Sequence, residues 1–195
     1  DFCLSRGLGD VYKRQADTLL INTGSTLNAG TTGTVNLQTT SANTAILVGG
    51  EDVLSGTRVL GVSQDEINRI TAGQLNIGNT SHSGMVTVSS AITTNASTGH
   101  IGLQTGGNIA INHALTLGAA RNLTLNAAGA GSTVTQSAAI QASGLRLLGS
   151  SVNYSFTHSG NTIGTIAANA NSVTLNTTSA LSVGTVGNTS GITTT

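Results

Sequence analysis

Val86-Thr87-Val88-Ser89-Ser90-Ala91-Ile92 returns as Ile109-Ala110-Ile111-Asn112-His113-Ala114-Leu115, and again as Val134-Thr135-Gln136-Ser137-Ala138-Ala139-Ile140. The starts lie 23 and then 25 residues apart. A second phrase interleaves with the first: Ile101-Gly102-Leu103, Leu123-Thr124-Leu125 and Leu145-Arg146-Leu147, spaced 22 and 22 residues apart. Two phrases on one period make each repeat a structural unit with at least two strands, and a period of this size is the signature of a solenoid. The expected fold is all-β: a parallel β-helix with coils of about 22–25 residues.

Within each phrase the outer two residues of the φ-x-φ pattern point to one face and the middle residue to the other. The expected inward set is Leu75, Ile77, Val86, Val88, Ile101, Leu103, Ile109, Ile111, Leu123, Leu125, Leu145, Leu147, Val173 and Leu175. The expected outward set is Asn76, Thr87, Gly102, Ala110, Thr124, Arg146 and Thr174. From Leu147 to Leu175 the rhythm stretches to 28 residues. The extra length holds Val152-Asn153-Tyr154-Ser155-Phe156-Thr157-His158, read as a longer loop or a bulged strand on one coil.

Composition agrees with a narrow core. Hydrophobic residues make up 37% of the 195-residue chain, aromatics 2% and charged residues 7%, with no proline. Disordered chains are usually rich in charge and proline, whereas this one keeps regular apolar alternation. The formal net charge is zero, which gives no long-range attraction to nucleic acid or anionic lipid. No apolar run reaches the length of a membrane-spanning helix, so neither nucleic-acid binding nor membrane insertion is expected.

The first fifteen residues, DFCLSRGLGDVYKRQ, break this composition. They resemble the translated read-through of a sequencing adaptor, so 1–15 is set aside as a non-native segment, and the single cysteine, Cys3, with it. Residues 16–50 are read as the first coils, with β-prone runs at Leu19–Asn22, Val35–Gln38 and Ala45–Val48. Residues 51–73 form a charged excursion. It holds Glu51, Asp52, Arg58, Asp65, Glu66 and Arg69, six of the nine charges beyond residue 15. Ser63-Gln64-Asp65-Glu66 matches a capping box, with Val62 and Ile67 placed for a hydrophobic staple. One or two helical turns are expected over Gln64–Ile70. Residues 74–195 are read as the cleanest repeats, truncated at the carboxyl end.

The stretch GVSQDEINRITAGQLNIGNTSHSGMVTVSSAI, Gly61–Ile92, resembles filamentous-haemagglutinin-like exoproteins of the two-partner secretion class. In that family a passage of this kind often precedes repeats like Ile101-Gly102-Leu103-Gln104-Thr105-Gly106-Gly107-Asn108-Ile109 and Leu123-Thr124-Leu125-Asn126-Ala127-Ala128-Gly129. The resemblance covers roughly residues 17–195. It implies a right-handed parallel β-helix exported through an outer-membrane secretion transporter. It also implies display on, or release from, a Gram-negative surface as an adhesin for a receptor or glycan on a host or neighbouring cell. The chain is then an internal fragment, a non-catalytic stalk or adhesive segment expected to self-associate end to end when isolated.

Parallel β-helices also house glycan-processing enzymes, whose hydrolytic chemistry normally uses two carboxyl groups across the scissile bond. No Asp or Glu follows Glu66 in this chain. Such a site would have to lie outside the segment, so no catalytic residue is assigned. Calcium wants several carboxylates and zinc clustered His or Cys. His82, His100, His113 and His158 are dispersed, with His113 aligned to Ser90 and Ala138, and His100 to Asn122 and Gly144. No metal or cofactor site is assigned either. An ice- or crystal-binding array needs Thr in one register on successive coils. Arg146 and Ala110 interrupt the two rows considered. Asn-x-Ser/Thr triplets begin at Asn79, Asn95, Asn122, Asn153, Asn176 and Asn188. A composition this rich in Asn, Ser and Thr produces such triplets by chance.

Overall fold

The computed structural model describes residues 11–195. Cys3 and the first ten residues lie outside that range. The chain winds as a parallel β-solenoid. One face stacks Thr34–Gln38, Ile70–Asn79, Thr98–Thr105, Asn122–Ala127, Ile140–Phe156 and Thr162–Leu175 in parallel register. Val35, Leu75, Ile101, Leu123, Leu145 and Ile166 form one inward column of this face. Leu37, Ile77, Leu103, Leu125, Leu147 and Ala168 form the next, and every member of both columns is buried. A second face stacks Ala45–Val48, Val86–Val88, Ile109–Ile111 and Val134–Gln136. A third carries Ile92–Thr93 and Leu115–Thr116 onto Ile140 and Gln141. Aliphatic side chains stack on their counterparts one coil away, close to the ~4.8 Å strand spacing. This continuous column of contacts is the core.

The last coils correct the register expected there. Leu147 pairs with Ala168, 21 residues on, and Leu145 with Ile166. Val173 and Leu175 pair instead with Tyr154 and Phe156 on the second face, and are only partly buried. Thr174 therefore lies beside Ser155, and Ala167 follows Arg146 in the outward row. The rhythm shortens rather than stretches, because these coils lack the loop that joins the first two faces in earlier coils. Strand Ile140–Phe156 turns the corner itself through a register shift between Gly149 and Asn153. Gly149 takes φ +127 there, and a Cβ would stand 2.3 Å from the Ala127 carbonyl oxygen. The bulged strand carries Tyr154 and Phe156 into the core with ring centroids 5.7 Å apart.

The other departures are local. Gly102 and Ala110 lie on the outward side of their strands yet are buried. Asn76 leans over Gly102, where a Cβ would meet its Oδ1 at 2.5 Å. Asn76 is held there by Gln74 and in turn donates to Asn36 Oδ1 at 2.9 Å. The helix spans Gln64–Asn68 and stops short of Ile70, which opens the next strand against Leu27. Leu19–Asn22 forms no strand. Val11–Gln15, part of the segment set aside, pairs in parallel with Thr34–Gln38.

Candidate functional site

Six of the nine charges beyond residue 15 gather in the excursion, and it surrounds a groove of about 300 Å³ lined by Leu20, Ile21, Glu51, Gln64, Asp65 and Arg69 among others. Its geometry follows from the capping box. Ser63 takes an extended conformation, its hydroxyl accepts the Glu66 N–H, and Glu66 Oε2 accepts the Ser63 N–H at 3.0 Å. The expected staple residues, Val62 and Ile67, are both fully buried. The helix thus starts where the sequence pattern puts it, but it interrupts the third face of the solenoid. A helix presents no edge for the neighbouring coils to pair with.

Side chains replace that edge on both sides. Below the helix runs Leu19–Asn22, with Leu19 and Ile21 buried and Leu20 exposed. Glu66 Oε1 accepts the Ile21 N–H at 3.0 Å, and Arg69 Nη1 donates to the Ile21 carbonyl at 3.0 Å. Asp52 accepts the Leu19 N–H at 2.8 Å and the Gly61 N–H at 2.7 Å. Above the helix, Gln64 Oε1 accepts the Thr93 N–H at 2.8 Å while its Nε2 donates to the Thr93 carbonyl at 3.0 Å. Loop residue Val53 bridges Val59 and covers the edge of strand Val59–Val62. Gln64 and the charged side chains together act as a two-sided adaptor between coils of different structure.

Electrostatics follow the same plan. Burial pushes the Asp52 carboxyl above its ordinary value, against the pull of its two backbone donors. Asp17 is held below its ordinary value by the Ser41 hydroxyl, with the Ser41 and Thr40 N–H groups adding to it. Each of these carboxylates fixes a backbone turn or segment. Glu66 is 6% exposed, and its carboxylate's hydrogen bonds run to Ile21 and Ser63. On the groove rim, Glu51 and Asp65 remain exposed.

The histidines are distributed along the coils. His82 Nδ1 pairs with Thr39 Oγ1 at 2.9 Å, His100 Nδ1 accepts the Asn122 N–H at 3.0 Å, and His158 Nδ1 accepts the Gly160 N–H at 3.0 Å. Each ties a turn or a neighbouring coil, and His113 is exposed. Among the described residues no three His, Cys, Asp or Glu side chains converge.

Sequence reading missed one buried polar centre. Asn161, fully buried, accepts from the Ile140 N–H and Gln136 Nε2 and donates toward Gln136 Oε1, Phe156 O and Asn176 O. It joins three coils, and a lone Asn in an Asn-rich chain gives no local signal of that role. No protein-family model, no curated protein and no solved structure matches the chain.

Proposed function

We propose that residues 16–195 form a structural segment of a large secreted or surface-displayed bacterial exoprotein, a non-catalytic solenoid stalk that presents or forms an adhesive surface. One observation carries the reading. The inward columns run unbroken from Val35 to Ile166, while Asp17, Asp52 and Glu66 are each tied to backbone N–H groups. Acidic side chains hold the scaffold, and the lateral surface is mostly Thr, Ser, Asn and Gly. That arrangement suits a repetitive spacer better than a reaction centre. The family resemblance of Gly61–Ile92 supports the export class: an outer-membrane transporter for the parent protein, a Gram-negative surface, and a receptor or glycan on another cell as ligand.

Antibodies against the chain, applied to intact cells that produce it, test this reading. External protease should remove the epitope from sealed cells, and beads coated with the chain should adhere to target cells. An epitope protected until lysis would overturn the surface assignment. Turnover of a polysaccharide by the purified chain would overturn the non-catalytic one.

A further inference from the structure

The arginines of the repeat region are used in different ways. Arg69 donates to the Ile21 carbonyl and Thr23, and Arg121 donates to Thr94 Oγ1 and the carbonyls of Asn95 and Ala96. Arg146 instead fixes only its Nε, on Thr189 Oγ1 at 2.7 Å. Thr189 belongs to an antiparallel hairpin, Thr185–Val186 with Thr189–Ser190, that folds back toward the lateral face. Its Val186 is buried, with Cγ1 3.0 Å from where a Gly144 Cβ would stand. Its Gly187 passes beside Arg146 Nη1. The hairpin partly shields the guanidinium, and that burial lowers the Arg146 pKa. No Asp or Glu side chain follows Glu66 in the sequence. The result, among the described residues, is a half-buried, oriented cation with no hydrogen-bond partner on its two terminal nitrogens and no Asp or Glu on its coil or the adjoining ones.

The register sets Thr124 directly beside Arg146 on the preceding coil, with Asn126 two residues further along the same outward side. Among the described residues, neither side chain has a hydrogen-bond partner. We infer that Arg146, Thr124 and Asn126 form a subsite for the carboxylate of an acidic sugar. A guanidinium fork matches the planar carboxylate through two parallel N–H donors. The adjoining hydroxyl and amide suit sugar hydroxyls. A nucleic acid would need a row of cations and stacking rings, which this face lacks.

The test titrates glucuronate into the 195-residue chain and follows ¹H–¹⁵N spectra, with glucose and sulfate as parallel arms. Saturable shifts at Thr124, Asn126 and the Arg146 side chain with glucuronate, and much weaker ones with glucose and sulfate, are the expected result. Arg146→Gln should weaken binding by roughly tenfold or more, and Arg146→Lys should fall between, because an ammonium keeps the charge but loses the fork. The wild-type shift map stands whether or not the variants fold. Equal response to glucose, sulfate as tight as glucuronate, shifts confined to other coils, undiminished binding by Arg146→Gln, or no saturable shift would each overturn the subsite.

Discussion

Gln64 treats Thr93 as a strand would, accepting its N–H and donating to its carbonyl through one side-chain amide. On the opposite side of the same helix, Glu66 and Arg69 do the equivalent for Ile21 with two charged groups. Replacing them should have different costs. Thr93 is exposed, so water takes over from Gln64, and Gln64→Ala should cost about 1 kcal/mol. Glu66 and Ile21 are buried, and Glu66→Ala leaves N–H groups unsatisfied at about 1–3 kcal/mol. Amide hydrogen exchange resolves the two: Gln64→Ala should speed exchange at Thr93, and Glu66→Ala at Ile21. Equal acceleration at both amides in either variant would contradict the adaptor.

Asn161 should be among the least replaceable polar residues. Removing its side chain strands the buried Ile140 N–H and takes away the Nδ2 donor shared by Gln136 Oε1 and the Phe156 and Asn176 carbonyls, of which Phe156 keeps the Asn176 N–H. Asn161→Ala should cost about 2–4 kcal/mol, more than an average single substitution. Asn161→Asp keeps the acceptor and loses the donor, so it should be destabilising too. Denaturant midpoints for both variants, with Gln136→Ala as a milder companion, check this order.

The two-row correction gives a third expectation. Leu125 is fully buried between Leu103 and Leu147, whereas Leu175 is only partly buried above Phe156. Leu125→Ala should cost about 3 kcal/mol or more. Leu175→Ala should cost clearly less, because part of its surface already meets water. Equal losses in thermal or chemical unfolding would return Leu175 to the central column.

What the sequence reveals here depends on range. The columns through Ile101 and Leu103 are legible because φ-x-φ alternation is local and recurs at a constant interval. The helix start is legible because Ser63 and Glu66 are three residues apart. The last coil misleads: Val173-Thr174-Leu175 copies the phrase better than Ile166-Ala167-Ala168, yet the latter fills the column. Alanine is too unspecific to mark a strand, and a bulge at Gly149 that removes a loop cannot be counted from spacing. Gln64 is read correctly as helical, but its bond to Thr93 spans 29 residues and has no local trace. Arg146 is visible as a charge interrupting a Thr row. The hairpin that orients it is a tertiary feature.

Asp17 sets an acid limit. Its carboxyl is lowered in the fold by Ser41 and Thr40. A lowered carboxyl binds protons less in the native than in the unfolded chain. Its stabilisation is therefore present above the unfolded value and lost as pH falls through the folded one. The effect should appear below about pH 4. Asp17→Asn should lower stability at neutral pH and flatten this acid limb. An unchanged acid profile in the variant would mean that Asp17 does not anchor the Thr40–Ser41 turn.

Tyr154 sets the alkaline limit. Its ring is 1% exposed, and its hydroxyl lies 2.6 Å from the Leu148 carbonyl oxygen and 3.1 Å from that of Leu125. Burial raises its pKa from 10.0 to about 12, since a phenolate there would lose its hydration. Between these values the unfolded chain has released the proton and the native chain has not. Stability should hold below about pH 10 and then fall by about 1.4 kcal/mol per pH unit until the native phenol ionises. Tyr154→Phe removes the titrating group, so its stability should lose this slope while starting about 1 kcal/mol lower for want of the hydrogen bond. Denaturant unfolding of both proteins from neutral pH to pH about 11 measures the two effects together. Parallel curves would show that the phenol titrates alike in both states, contrary to its burial between Leu125 and Leu148.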